Sequence, residues 1–212
     1  MQKLPHFPTS AALPWLILAA IGSLSVSAFA SDNGKRPFFP GAVPMHHAAS
    51  AKAAAHAQNL TTIAIPGSEA SYALGVNSKG EVVGYWYDHN FDTHGFLYSG
   101  GKITNIDLPN TLGFGITGIN DRGIIVGAYA DPSGTVVHGF LLYRGQFAAL
   151  DYPGATISQP YAINDAGDVV GYYQIGDGPF LGFLWHQGTF TTLKVPGSVY
   201  TFPQGINDRG DI

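Results

Sequence analysis

The chain has 212 residues, with 28 Gly, 14 Pro and no Cys, and only 11% of it is charged. A formal net charge of −4 offers no basic field to hold a phosphate backbone, so nucleic acid is not an expected partner. The lack of cysteine excludes disulfides, thiol nucleophiles, iron–sulfur clusters and cysteine-held zinc.

Lys3 precedes a long uncharged run, Ala11 to Ala30, that ends in Ala28-Phe29-Ala30 and is followed by Ser31-Asp32. Small residues at the −3 and −1 positions are what a signal peptidase reads. The pattern predicts a signal peptide over 1–30, cleaved after Ala30, and a mature protein not held in a membrane. An uncleaved anchor is the alternative, because 20 uncharged residues reach across a bilayer. Residues 31–58 read as a flexible linker, with Pro37, Pro40 and Pro44 in its first half and an Ala-rich second half. His46-His47 has no third ligand at a recognisable spacing, so no metal site is assigned there.

From Leu60 onward the chain repeats itself every 43 to 44 residues. Asn77, Asn120, Asn164 and Asn207 recur, and Gly80, Gly123, Gly167 and Gly210 follow each of them by three. Pro66, Pro109, Pro153 and Pro196 keep the same period, as do Gly84, Gly127 and Gly171. Gly-Phe-Leu triplets begin at Gly95, Gly139 and Gly182. A repeat domain is therefore expected over 59–212, with units at about 72–108, 116–152 and 161–195 and an incomplete fourth at 204–212.

Each period holds four short runs rich in Ile, Val, Leu, Phe and Tyr, bounded by Gly, Pro, Asn and Asp. No sustained 3.6-residue apolar period is present, so helices between the strands are not expected. Four sequential strands with tight turns predict an all-β fold of antiparallel four-stranded meanders. At this period such meanders form a partial β-propeller of about three blades plus fragments; an open β-repeat array is the alternative. Thr61 to Pro66 reads as a lone strand of the fourth type. Ending inside a hairpin leaves backbone unpaired, which suggests a fragment of a longer propeller, or self-association if the chain truly ends at Ile212.

Asn-(Ser/Asp)-x-Gly sits between two strands as a hairpin turn, its Asn side chain bonding the backbone ahead and its Gly supplying a positive φ. Calcium ligation by Asn120 and Asp121 is the sharper reading. A calcium loop interleaves more oxygen side chains than Asn-Asp-Arg-Gly supplies, so turn chemistry is preferred. The Gly of each Val-Val-Gly or Ile-Val-Gly run is expected to permit close packing.

These Asn-Asp-x-Gly and His-Gly-Phe-Leu elements resemble the bacterial extracellular HAF repeats, over about residues 60–212. The motif stands here as His94-Gly95-Phe96 and His138-Gly139-Phe140, with Leu181-Gly182-Phe183 in the third copy. The resemblance implies export, to the medium, periplasm or cell surface of a bacterium, and a repeated β architecture; it implies no established reaction. Loss of His in the third copy argues against a metal ring, so the histidines are expected at packed or edge positions.

In a meander, the tight turns share one end and the longer connections share the other. The longer connections vary between copies, and recognition residues should vary where scaffold residues repeat. The candidate ligand-binding residues are therefore Asp88, His89, Phe91, Asp92, Phe114, Asp131, Tyr161, Asp177, Tyr200 and Phe202. Their mixture of acids, amides and exposed aromatics suits a polysaccharide or a cell-surface protein. The sequence carries no nucleophile-elbow, zincin, P-loop or dinucleotide motif. The expected function is a secreted, non-enzymatic binding protein with no cofactor and no metal. The alternatives are a structural envelope repeat with no ligand, and a glycan-processing enzyme using Asp88, Asp92, Asp131 and Asp177 as acid and base.

Overall fold

A computed structural model describes residues 61–212; the predicted signal peptide, most of the linker and His46-His47 lie outside the described residues. Among the described residues there are twelve strands and no helix. The first four are β1 (Ala70–Val76), β2 (Val82–Tyr87), β3 (Thr93–Ser99) and β4 (Lys102–Ile106). The next four are β5 (Gly113–Ile119), β6 (Ile125–Ala130), β7 (Val137–Tyr143) and β8 (Gln146–Ala149). The last four are β9 (Ile157–Ile163), β10 (Val169–Gln174), β11 (Leu181–His186) and β12 (Thr189–Leu193).

Consecutive strands within each group pair antiparallel, so each group is one four-stranded meander. The second and third meanders join through a single parallel bridge between Val137 and Ile157. The fold is thus the all-β repeat that the periodicity predicts, with no closed barrel among the described residues. The expected lone strand at Thr61 to Pro66 does not form. The first sheet ends at β1, so no described strand pairs with that segment.

Connections between meanders follow from their prolines. Pro66, Pro153 and Pro196 are each followed by a Gly with φ of +81°, +77° and +81°, and Pro109 by Asn110 with φ +61°. Pro followed by a left-handed residue is a type II turn. Its hydrogen bond runs from the N–H of Ser68 to Ile65 O, of Ala155 to Tyr152 O and of Ser198 to Val195 O.

Every first strand carries a bulge at the same place. The register of β1 against β2 shifts between Ala73 and Gly75, and that of β5 against β6 between Ile116 and Gly118. Against β10, β9 shifts between Pro160 and Ala162. Leu74, Thr117 and Tyr161 are the extra residues, and a bulge re-aims the side chain that it carries. Gly84, Gly127 and Gly171 lie close beside the bulges. A Cβ on them would fall 1.8 Å from Tyr72 O, 2.2 Å from Gly115 O and 2.1 Å from Gln159 O. These glycines are therefore demanded by close approach of backbone, as their recurrence suggested.

The core lies between meanders. Val83 of the first unit packs with Phe114, Ile116, Ile125 and Phe140 of the second, while Val126 packs with Ile163, Val169 and Phe183 of the third. Phe114 and Phe140 stack with ring centroids 5.2 Å apart. This corrects one expectation: Phe114 is 2% exposed and belongs to the core, not to a ligand face. Its strand begins at Gly113, so the ring lies within the β ladder opposite Tyr129. Burying such a ring stabilises by roughly 1.5–3 kcal/mol, which a loop would forfeit.

Gly127→Ala should lower the free energy of unfolding by about 3 kcal/mol or more, because its methyl must displace a ladder carbonyl. Gly123→Ala, at φ +75° with open space around it, should lose only about 1–2 kcal/mol. Urea titration of both variants checks the order; equal losses would contradict the close-approach account.

Candidate binding site

The tight-turn end is built from the recurring Asn. In the second unit, Asn120 Oδ1 accepts the N–H of Arg122 at 3.1 Å and of Ile124 at 2.9 Å, closing its own turn. Its Nδ2 donates to Asn164 O at 3.0 Å, one unit further on. Asn77 does the same toward Asn120 O at 3.1 Å, and Asn164 toward Asn207 O at 3.2 Å. The following residue forms a parallel series: the N–H of Ser78 donates to Asp121 Oδ1 at 2.7 Å, that of Asp121 to Asp165 Oδ1 at 2.7 Å, and that of Asp165 to Asp208 Oδ1 at 2.9 Å. Asn120 and Asn164 are almost fully buried and satisfied, as buried amides must be. The Asp carboxylates are engaged by N–H groups, and no described cluster of His, Asp or Glu could hold a metal ion. The hydroxyl and backbone N–H of Ser78, joined by the charge of Lys79, hold the Asp121 carboxyl below its ordinary range.

The repeated histidines are packing elements. His94 Nδ1 meets Asp107 at 3.0 Å and stacks on Trp86 at 4.4 Å; His138 Nδ1 meets Asp151 at 2.8 Å and stacks on Tyr129 at 5.1 Å. The third unit replaces both partners, with Leu181 for the His and Lys194 for the Asp. There Tyr173 stacks on Tyr152 instead, at 3.6 Å. Histidine and aspartate are lost together, as a pair that serves one contact would be.

At the opposite end lie the variable connections. Asp88, His89, Phe91 and Asp92 share the β2–β3 loop. Asp88 Oδ1 accepts the N–H of Asn90 at 2.8 Å and of Asp92 at 2.9 Å, and Asp88 O accepts that of Phe91 at 3.0 Å. Slight desolvation pushes the Asp88 carboxyl up, but the Asp92 and Asn90 N–H groups outweigh it and hold the group low. Phe91 sits at φ +64° and is 76% exposed. The matching residue of the second unit is Gly134, at φ +71°, whose N–H bonds Asp131 O in the same way. Asp131 is likewise a loop cap: the Ser133 hydroxyl, with the N–H groups of Val136 and Thr135, holds its carboxyl low. Asp177 is exposed in the β10–β11 loop.

Tyr161, expected in a connection, instead lies within β9, where the bulge sets its ring near Tyr172; Tyr200 and Phe202 gather beside the same ring. Phe202 meets the Tyr172 ring edge-on at 5.0 Å, Tyr161 lies 6.3 Å from Tyr172, and Tyr200 lies 6.3 Å from Phe202. Phe180, which the sequence did not single out, joins Tyr200 and Phe202. Of the ten candidate residues, four share one loop, three share this aromatic group, Asp131 caps the β6–β7 loop, Asp177 is exposed in the β10–β11 loop, and Phe114 is core.

One cavity was not foreseen. A cleft of about 430 Å³ runs where the first strands of the units meet, lined by Leu74, Thr117, Tyr161 and Gln204. These four residues hold the same place in the repeat, spaced by 43, 44 and 43, yet each is of a different type. Self-alignment of the sequence shows conserved residue types, so it passes over such a position.

No family model matches the chain. No curated protein matches it either. Among solved structures, the chain is similar to a triple arginine-to-alanine mutant of AofleA from Arthrobotrys oligospora, with 15% identity and a TM-score of 0.38. The likeness covers 64% of this chain and 46% of that one, so the chain spans about half of its length.

The lowered Asp121 carboxyl sets a pH dependence. Its folded pKa lies below the unfolded value near about 3.9, so its stabilisation is complete above that value and is lost as pH falls through the folded one. Asp121→Asn keeps an oxygen acceptor but gains no proton. Its melting temperature should fall less steeply between about pH 4 and pH 2 than that of the wild type. Parallel slopes would show that Asp121 carries none of the acid sensitivity.

Proposed function

We propose that the chain is a secreted, non-enzymatic binding protein of the HAF-repeat kind, which takes a carbohydrate at the variable-loop end of its meanders. Phe91 carries the proposal. A left-handed backbone costs an L-residue about 1–2 kcal/mol, and the second unit avoids this by placing Gly134 there. The first unit accepts the strain and projects a phenyl ring into solvent, held by the Asp88 cap. Strain of this kind concentrates at ligand contacts. A flat apolar ring beside Asp88, His89, Asn90 and Asp92 offers what a sugar needs: a surface for its C–H face and acceptors for its hydroxyls. The export signal read at 1–30 would deliver that surface to extracellular glycans.

Hydrolysis finds less support. A glycosidase needs one carboxyl with a raised pKa to act as general acid. Asp88 and Asp131, two of the four acids available for it, are held in the opposite direction by their loop donors.

The test is a glycan array probed with the wild type and with Phe91→Gly. Relief of strain should raise the stability of the variant by about 1 kcal/mol, while its affinity for any glycan bound by the wild type falls at least tenfold. A blank array for the wild type would favour a structural repeat with no ligand. Equal binding by the two proteins would remove Phe91 from the site.

A further inference from the structure

The cleft between the first strands is separate from the Phe91 loop, and its walls have a different chemistry. Leu74, Thr117 and Tyr161 are the bulged residues of β1, β5 and β9, and Gln204 repeats their position. The residues after the bulges, Gly75, Gly118 and Ala162, are small for a reason. A Cβ on Gly75 would lie 2.9 Å from Gly118 Cα, and one on Gly118 would lie 3.2 Å from Tyr161 O. Adjacent inner strands therefore touch backbone to backbone. They leave the bulged side chains to line one side of a continuous wall.

Val76, Ile119 and Ile163 add apolar residues to the lining, and Thr117, Tyr161 and Gln204 add polar ones. Thr117 Oγ1 donates to Pro160 O at 3.0 Å, which leaves its own lone pairs to accept. Among the described residues, no Asp, Glu, Lys, Arg or His lines the cleft; Asp121, Asp165 and Asp208 lie in the adjoining hollow beyond Val76, Ile119 and Ile163. Burial pushes the Tyr161 hydroxyl up, so it stays a neutral phenol at neutral pH. A charged guest would give up part of its hydration there and find no counter-charge among these side chains. The volume of about 430 Å³ lies within the ordinary range for small-molecule pockets.

We propose that this cleft is a second binding site, for an uncharged small molecule with an apolar, ring-sized body and hydrogen-bonding groups at its edge. Selectivity comes from charge exclusion, and the four non-identical side chains fix the orientation of the guest.

Three probes of one shape test this: benzamide, benzoate and benzamidine, titrated into the full-length protein and followed by backbone amide NMR shifts. Benzamide should shift Gly118, Ala162 and Gln204 at concentrations up to about 10 mM, leaving Asn90 and Phe91 in place. Benzoate and benzamidinium should bind at least tenfold more weakly. Leu74→Trp fills the cleft and should abolish the benzamide shifts; if that variant does not fold, Gln204→Trp, at the equivalent repeat position, serves in its place. No shift with benzamide, equal binding of the three probes, or unchanged binding in a folded, cleft-filled variant would each overturn the site. None of these results bears on glycan binding at Phe91, so the two sites stand or fall apart.

Discussion

The side-chain amide of Asn120 closes its own turn with one atom and holds the next unit with the other. A four-stranded meander has two faces and two edges, and the apolar faces here find cover only against a neighbouring unit. Neighbours must therefore be held in phase. The series Asn77 to Asn120, Asn120 to Asn164 and Asn164 to Asn207 does this at the end of each first strand. The N–H to carboxylate series from Ser78 through Asp208 runs beside it. With the turns in phase, Val83 meets Ile116 and Val126 meets Val169 without further specification. In repeat proteins, stability is a sum of unit terms and nearest-neighbour terms, and this paired ladder is the polar part of the neighbour term.

Positions that repeat and positions that vary have separate duties in this chain. Gly84, Gly127 and Gly171 repeat because backbone carbonyls occupy the space of a Cβ. His94 and His138 repeat with Asp107 and Asp151, and the third unit drops both. Phe91 and Gly134 instead share a loop geometry and differ in everything presented to solvent. The bulged positions differ in the same manner on the inside. The scaffold thus gives each unit two places, one at the loop end and one at the bulge, where the residue type changes from copy to copy.

The strands and their order were legible in the sequence because Asn, Gly and Pro recur at fixed offsets and each has a local reason to do so. The bonding of Asn side chains to their own turns followed from the same chemistry. Their other amide end was not legible, since nothing local to Asn120 shows that Asn164 O lies 3.0 Å away. Phe114 was misplaced because it falls just ahead of the unit expected over 116–152 and so counted as part of a connection, although the ring is held in the core by Phe140. Thr61 to Pro66 has strand-like composition but no described partner, and pairing decides a strand. The cleft stayed hidden because Leu74, Thr117, Tyr161 and Gln204 have nothing in common except their position.

The most direct measurement is amide hydrogen exchange on Asn120→Ala, compared with the wild type under native conditions. If the ladder couples the units, exchange should accelerate at the N–H of Ser78 and Asp121, whose bonds cross between units, and within the Asn164 turn. Acceleration confined to Arg122 and Ile124, the amides that Asn120 accepts within its own turn, would contradict it. The recurring asparagine would then be a turn former alone, and face packing by itself would hold the repeat in phase.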